Sequence, residues 1–124
     1  MIDFNFTDDR PIYIQLVEQL ELYIVSGRIP VGEKLPSVRE LACHAKVNPS
    51  TMQRALIELE NLKLIFTERT NGKYVTTDSS LIETYRTEFA EDRVKQYLIE
   101  MSDLGFDRTA AIKYLKSQGG KHHD

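Results

Sequence analysis

The residues whose types and spacing suit a chemical task cluster between positions 37 and 54, and the task they suit is recognition rather than catalysis. Asn48-Pro49-Ser50-Thr51-Met52-Gln53-Arg54 places small and medium polar side chains at the start of a helical run. Such groups reach base edges and phosphates. A glutamine such as Gln53 pairs bidentately with adenine, and an arginine such as Arg39 or Arg54 meets guanine or a phosphate. Farther on, Arg69 and Lys73 flank Thr70-Asn71-Gly72, a turn from which cations reach a minor groove or its phosphates. Catalytic arrangements are missing. Asp8-Asp9 and Glu91-Asp92 have no companion histidine or third carboxylate, and no glycine-rich phosphate loop or nucleophile–base pair is spelled out. His122-His123 lack a fixed third ligand. No enzymatic activity, cofactor or metal is therefore expected. Cys43 reads as a half-buried apolar filler and His44 as a surface residue.

Positioning these groups takes two short helices and a hairpin. Ser37-Val38-Arg39-Glu40 is a capping box that opens a helix burying Val38, Leu41, Ala42 and Ala45. The chain breaks at Lys46-Val47 and restarts at Asn48-Pro49, a favoured N-cap followed by a favoured first helical residue. Met52, Ala55, Leu56, Leu59 and Leu62 fall on one stripe of the new helix, leaving Ser50, Gln53, Arg54, Ile57 and Asn61 opposite. Segments 64–67 and 73–77, joined through Asn71-Gly72, read as a β-hairpin. Upstream, Ile12, Leu16, Val17, Leu20, Tyr23 and Ile24 recur at helical spacing between Pro11 and Gly27. Two short helices joined by a brief break and followed by a hairpin make a winged helix-turn-helix. The second helix of such a motif enters the major groove N-terminus first, presenting open N–H groups beside its polar side chains.

Beyond the hairpin, Ser80-Leu81-Ile82-Glu83 reads as a second capping box. It opens a long helix with Ile82, Tyr85, Phe89, Val94, Tyr97, Leu98 and Met101 on one side. Leu104-Gly105-Phe106-Asp107 spells a helix stop, a left-handed cap and a new N-cap, and a last helix presents Ala110, Ala111, Ile112 and Leu115. Residues from Gly119 onward read as a frayed tail. Two helices cannot bury such stripes alone, so Tyr85, Phe89, Tyr97, Leu98, Met101, Leu104, Phe106, Ile112 and Leu115 are candidates for a homodimer interface. The expected fold class is α+β, mostly helical. It comprises a winged helix-turn-helix domain over 1–77 and a two-helix C-terminal dimerisation segment over 78–124. An unknown small-molecule effector could lodge between them, although no residue cluster announces one.

Composition narrows the setting. With 124 residues, 41% hydrophobic and 28% charged, the chain fits one small soluble domain plus an appendage. Its net charge of −3 argues mildly against nucleic acid as a partner. The charge is uneven, however: residues 34 to 54 carry Lys34, Arg39, Lys46 and Arg54 against Glu40 alone. Exposed charges more than about 10 Å apart are largely screened, so a local basic patch can hold phosphates on an acidic body. No apolar run approaches the roughly 20 residues of a membrane span. The acidic start lacks the apolar core of a signal peptide, and one cysteine suits a reducing compartment. A cytoplasmic protein without membrane contact is expected.

The wording of the motif is more specific than its pattern. Pro11-Ile12-Tyr13, Gly27-Arg28-Ile29, the run from Gly32 to Ala42 (Gly-Glu-Lys-Leu-Pro-Ser-Val-Arg-Glu-Leu-Ala) and Val47 to Ala55 (Val-Asn-Pro-Ser-Thr-Met-Gln-Arg-Ala) resemble the GntR family of repressors in order and spacing, from about residue 9 to residue 76. The resemblance implies a winged helix that binds a short pseudo-palindromic double-stranded DNA operator as a homodimer. It places the family arginine on Arg39, after Ser37, and the base- and phosphate-contacting run on Asn48, Pro49, Ser50 and Thr51 with Gln53. It places the wing-tip glycine on Gly72. Two departures stand out: Gln53 where many members carry arginine, and Thr70 where the wing has a first glycine. A tail of two helices resembles the YtrA-type branch, whose small tail is a dimerisation unit. The rival reading is a winged-helix protein-interaction module that never touches DNA; such a module needs no small polar helix opening of the kind seen at Asn48 to Thr51.

Overall fold

The computed structural model describes residues 2 to 119. Its elements run α1 (Ile12–Val25), α2 (Val38–Ala45), α3 (Pro49–Asn61), β1 (Ile65–Glu68), β2 (Gly72–Val75), α4 (Ser79–Asp103) and α5 (Arg108–Gly119), the expected mostly helical α+β order. Two compact units emerge, one ending at Arg86 and the other beginning at Thr87.

The first unit is built on α3, whose Met52, Ala55, Leu56 and Leu59 are all fully buried at the spacing of one helix face. Against them pack Leu16, Leu20 and Ile24 of α1 and Leu41, Ala42 and Ala45 of α2. Burying a leucine such as Leu56 stabilises by about 1.5–3 kcal/mol relative to leaving it in water. The junction between α2 and α3 takes only Lys46, Val47 and Asn48. Lys46 occupies the left-handed region at φ 60°, and the Val47 N–H donates to the Ala42 carbonyl at 3.0 Å. That six-to-one bond satisfies an end carbonyl of α2 while reversing the chain. The end of α3 repeats the device at Lys63, φ 67°, with the Leu64 N–H donating to Leu59 at 3.0 Å.

The wing pairs β1 with β2 antiparallel, Ile65 opposite Val75 and Glu68 opposite Gly72. The opposite edge of β2 accepts a third chain segment: Lys34 bridges to Tyr74, and the Leu35 N–H donates to Lys73 at 2.8 Å. The turn differs from a two-residue Asn-Gly loop. Three residues, Arg69 to Asn71, connect the paired ends, the Asn71 N–H donates to Glu68 at 3.3 Å, and Gly72 alone takes positive φ, at 102°.

An N-terminal strap, which the sequence pattern does not announce, completes this unit. Gln15, Gln19 and Tyr23 stand one helical turn apart on α1 and face Thr7, Asn5 and Asp3 of an extended segment. Each side chain accepts from the backbone N–H and donates to the carbonyl of its partner, at 2.6–3.0 Å. Four helical residues advance about 6.0 Å and two extended residues about 6.6 Å, so the spacings match. Gln15 is the one buried polar side chain among the described residues, and it also donates to Arg10 at 2.7 Å. At its start the strap reaches α2, where the Ile2 carbonyl meets the His44 imidazole and Phe4 packs edge-on to the same ring.

The start of α4 belongs to the first unit: Ile82 is buried there and the Tyr85 hydroxyl donates to the Leu62 carbonyl at 3.0 Å. The cap is Asp78 and not Ser80, since the Leu81 N–H donates to Asp78 Oδ1 at 3.1 Å while Glu83 pairs with Arg86. A carboxylate there gains from the helix dipole as well as the hydrogen bond. In the second unit the rest of α4 turns into α5 through Gly105 at φ 92°, the Phe106 N–H donates to Met101 at 2.9 Å, and Asp107 caps α5 by accepting from Ala110 at 2.9 Å. Ala111 is buried, and the Tyr97 hydroxyl donates to its carbonyl at 2.7 Å. Helix α5 extends to Gly119; His122-His123 and the rest of the tail lie outside the described residues.

Candidate nucleic-acid interface

With one face of α3 buried, its other face exposes Ser50, Gln53, Arg54, Ile57 and Asn61. Gln53 and Arg39 are both exposed, and neither is bonded to another described residue. Their donors and acceptors are open to a ligand. Ser37 and Glu40 close the expected capping box, exchanging bonds of 3.1 and 2.9 Å. The Ser37 backbone N–H holds the Glu40 carboxyl below the usual carboxylate range. The box thereby fixes the first turn of α2, which carries Arg39.

At the start of α3 the structure corrects one expectation. No backbone N–H from Pro49 to Met52 is open: Pro49 has none, that of Ser50 donates to Asn48 Oδ1 at 2.8 Å, and those of Thr51 and Met52 donate to the Asn48 carbonyl at 3.0 and 3.1 Å. The Ser50 hydroxyl also donates to Asn48 Oδ1, at 2.8 Å. Asn48 therefore works first as a cap. What α3 offers outward is side chains: the Asn48 amide N–H groups, Ser50 Oγ, half-buried Thr51, Gln53 and Arg54.

Arg54 has a specific environment. Its guanidinium carbon lies 3.6 Å from the centroid of the Tyr13 ring at the start of α1. On the wing, Arg69 is exposed in the turn. Lys73 is turned inward instead: its ammonium binds Glu60 at 3.0 Å and Thr67 Oγ1 at 2.9 Å, tying β2 to α3. Burial raises the Glu60 carboxyl, but the hydrogen bonds from Thr67 and Lys73 and the lysine charge outweigh it and leave it lowered. Lys34 also stands beside the wing tip, its Cε 3.4 Å from where a Cβ on Gly72 would stand, and its ammonium is joined to no other described residue. The basic cluster of residues 34 to 54 carried that signal, though Lys34 was not among the expected contacts.

Other residues find structural places. Cys43 is exposed rather than half-buried, because the core face of α2 is filled by Leu41, Ala42 and Ala45. A cavity of about 580 Å³ in the first unit is lined by Tyr23, Ile29, Leu35, Leu41 and His44, among others. Among the described residues no cluster of histidine, cysteine or carboxylates could hold a metal, and no helix is long and apolar enough to cross a membrane. In the second unit Leu104, Phe106, Ile112 and Leu115 are exposed, Phe89, Leu98 and Met101 half-buried, and Tyr97 is bonded to Ala111. Val94, Ile99 and Tyr114 are exposed as well.

The model of the bacterial regulatory proteins of the gntR family matches residues 12–75, the stretch that contains α1, the helix-turn-helix and the wing. The chain belongs to the GntR family. It is 33% identical to the HTH-type transcriptional repressor YtrA of Bacillus subtilis, over the full length of both chains. The HTH-type transcriptional regulator YhcF of the same organism is 30% identical over 96% of this chain and all of that one. A solved GntR family transcriptional regulator from Listeria monocytogenes superposes with a TM-score of 0.83 at 42% identity, covering 90% of this chain and 98% of that one. The motif resemblance is thus borne out, and with it the fold class. This GntR chain is a DNA-binding transcription regulator, as the names of its relatives are those of transcription regulators and repressors.

Proposed function

We propose that this GntR regulator is a repressor that binds a pseudo-palindromic operator as a homodimer, one α3 per half-site. In this reading residues 1–77 form the DNA reader and 78–124 the dimerisation tail, the first turns of which, to Arg86, belong to the same compact unit as the reader. The observation that carries it is the outer face of α3, where Gln53 and Arg54 stay exposed on a helix whose opposite face is anchored in the core. Base edges are read by Gln53 and by Arg54, while Ser37, Arg39 and Thr51 meet phosphates and the Ser50 hydroxyl, whose proton goes to Asn48, offers its oxygen to a base-edge donor. Arg69, Lys34 and the backbone at Gly72 reach the flanking groove from the wing. Dimerisation draws on the exposed Leu104, Ile112 and Leu115, since a two-fold protein matches a two-fold operator.

The test is binding to DNA upstream of its own operon over a series of salt concentrations. Each neutralised phosphate adds about −0.9 to the slope of log affinity against log salt, so a dimer making several contacts loses affinity steeply between about 50 and 200 mM salt. Absent or salt-independent binding across genomic fragments would leave a protein-interaction module as the better reading. Deleting the gene should raise transcription from the bound promoters; a fall would make it an activator.

A further inference from the structure

We propose that Tyr13 is a positioning residue for DNA reading: its ring holds the Arg54 guanidinium beside the opening of α3, with the in-plane N–H groups left free for the operator. The inference rests on the reading of α3 as the recognition helix. Tyr13 and Arg54 are far apart in sequence and meet because α1 packs along α3. Tyr13 is half-buried and fixed by that packing, whereas Arg54 is exposed on a long flexible stem. At 3.6 Å from the ring centroid, the guanidinium is stacked on the π face.

Stacking engages the face of the guanidinium, while hydrogen bonds leave from its edge. Arginine presents five N–H donors in a planar fork that matches phosphate or the O6 and N7 atoms of guanine. The ring therefore restrains the side chain without occupying a donor, and Arg54 forms no ion pair or hydrogen bond with any other described residue. The location is apt as well. Tyr13, Arg54, Ser50, Thr51 and Ile12 border one open cleft of about 420 Å³, so the arginine is held on the same edge as the residues that open α3. A lysine at 54 would lack the planar face, and a leucine at 13 would lack the ring.

A double-mutant cycle on the full-length protein tests this, using a fragment to which the wild type binds in a salt-dependent manner. Tyr13→Leu should weaken binding about 2- to 5-fold per half-site, the range of an exposed cation–π contact, and so about 5- to 30-fold on an operator held by two copies. Tyr13→Phe should restore it to within about twofold. Once Arg54→Ala is in place, Tyr13→Leu should have no further effect. A full effect of Tyr13→Leu in the Arg54→Ala background overturns the proposal, because Tyr13 then acts on its own. So does undiminished affinity of Tyr13→Leu. If Tyr13→Leu melts below the assay temperature, Tyr13→Met, similar in bulk and without a ring, takes its place in the same cycle, and the same two results support or overturn the pairing. Failure of the wild type to bind any fragment removes the underlying reading, whereas absence of coupling in a protein that binds removes only the pair.

Discussion

Gln53 and Arg54 are neighbours on α3 with opposite degrees of restraint: one is unbonded, the other stacked on Tyr13. An unrestrained amide suits direct readout, because it can pair bidentately with one base and leaves its own groups unpaired on a wrong one. Gln53→Ala should thus cost about 1–3 kcal/mol at a single operator position and little at others. A competition assay over single-base operator variants checks this; an equal loss on every variant would make Gln53 a backbone contact. Lys63 shows residue-scale chemistry of another kind. It ends α3 in the left-handed region at φ 67°, where a Cβ is disfavoured, and it is exposed. Lys63→Gly should therefore stabilise the protein by about 0.5–1 kcal/mol, the relief of strain being partly offset by greater freedom of the unfolded chain. Urea titration reads that difference, and a loss of stability would show that the lysine is held by something other than its backbone.

At the scale of elements, the wing is attached to α3 by the Glu60–Lys73–Thr67 cluster. Glu60 has a folded-state carboxyl below its ordinary range, so its contribution is fully present above the unfolded value of about 4.3 and is lost as pH falls through the folded one. Partly exposed pairs of this kind contribute about 0.2–1 kcal/mol. The stability gap between wild type and Glu60→Gln, measured by urea unfolding, should be of that size near neutral pH and close as acid protonates the carboxyl; a gap that persists in acid would assign it to packing. The helices and the hairpin were legible in the sequence because periodicity and caps are local signals: Ser37 with Glu40, Asn48 with Pro49, and Gly105 all act where they stand. The strap was not legible, because Gln15, Gln19 and Tyr23 look like ordinary polar helix positions until an extended segment lies across them. Lys73 misled for the same reason, since its partner Glu60 lies on another element. Asp78 and Ser80 are both good caps, and spacing alone could not choose between them.

At the scale of the whole molecule, the proposed homodimer would set one α3 on each half-site, and affinity for a palindrome would then depend on coupling two copies. Leu104 and Leu115 are 72% and 53% exposed and border one largely apolar cleft with Met101, Phe106 and Tyr114, a contiguous patch of the kind that marks an interaction surface. They make better probes of assembly than Tyr97, whose hydroxyl is bonded to Ala111 and whose loss would disturb the unit itself. Leu104→Asp together with Leu115→Asp should leave the helical content unchanged, since neither side chain is part of a core. Sedimentation should then show a protomer in place of a dimer. Linking two modest half-site contacts multiplies affinity by about 10²–10⁴, so the variant should lose about that much on the full operator. On an isolated half-site it should bind as the wild type does. That contrast separates lost dimerisation from a damaged reader, and a variant that still sediments as a dimer would place the interface away from these two leucines.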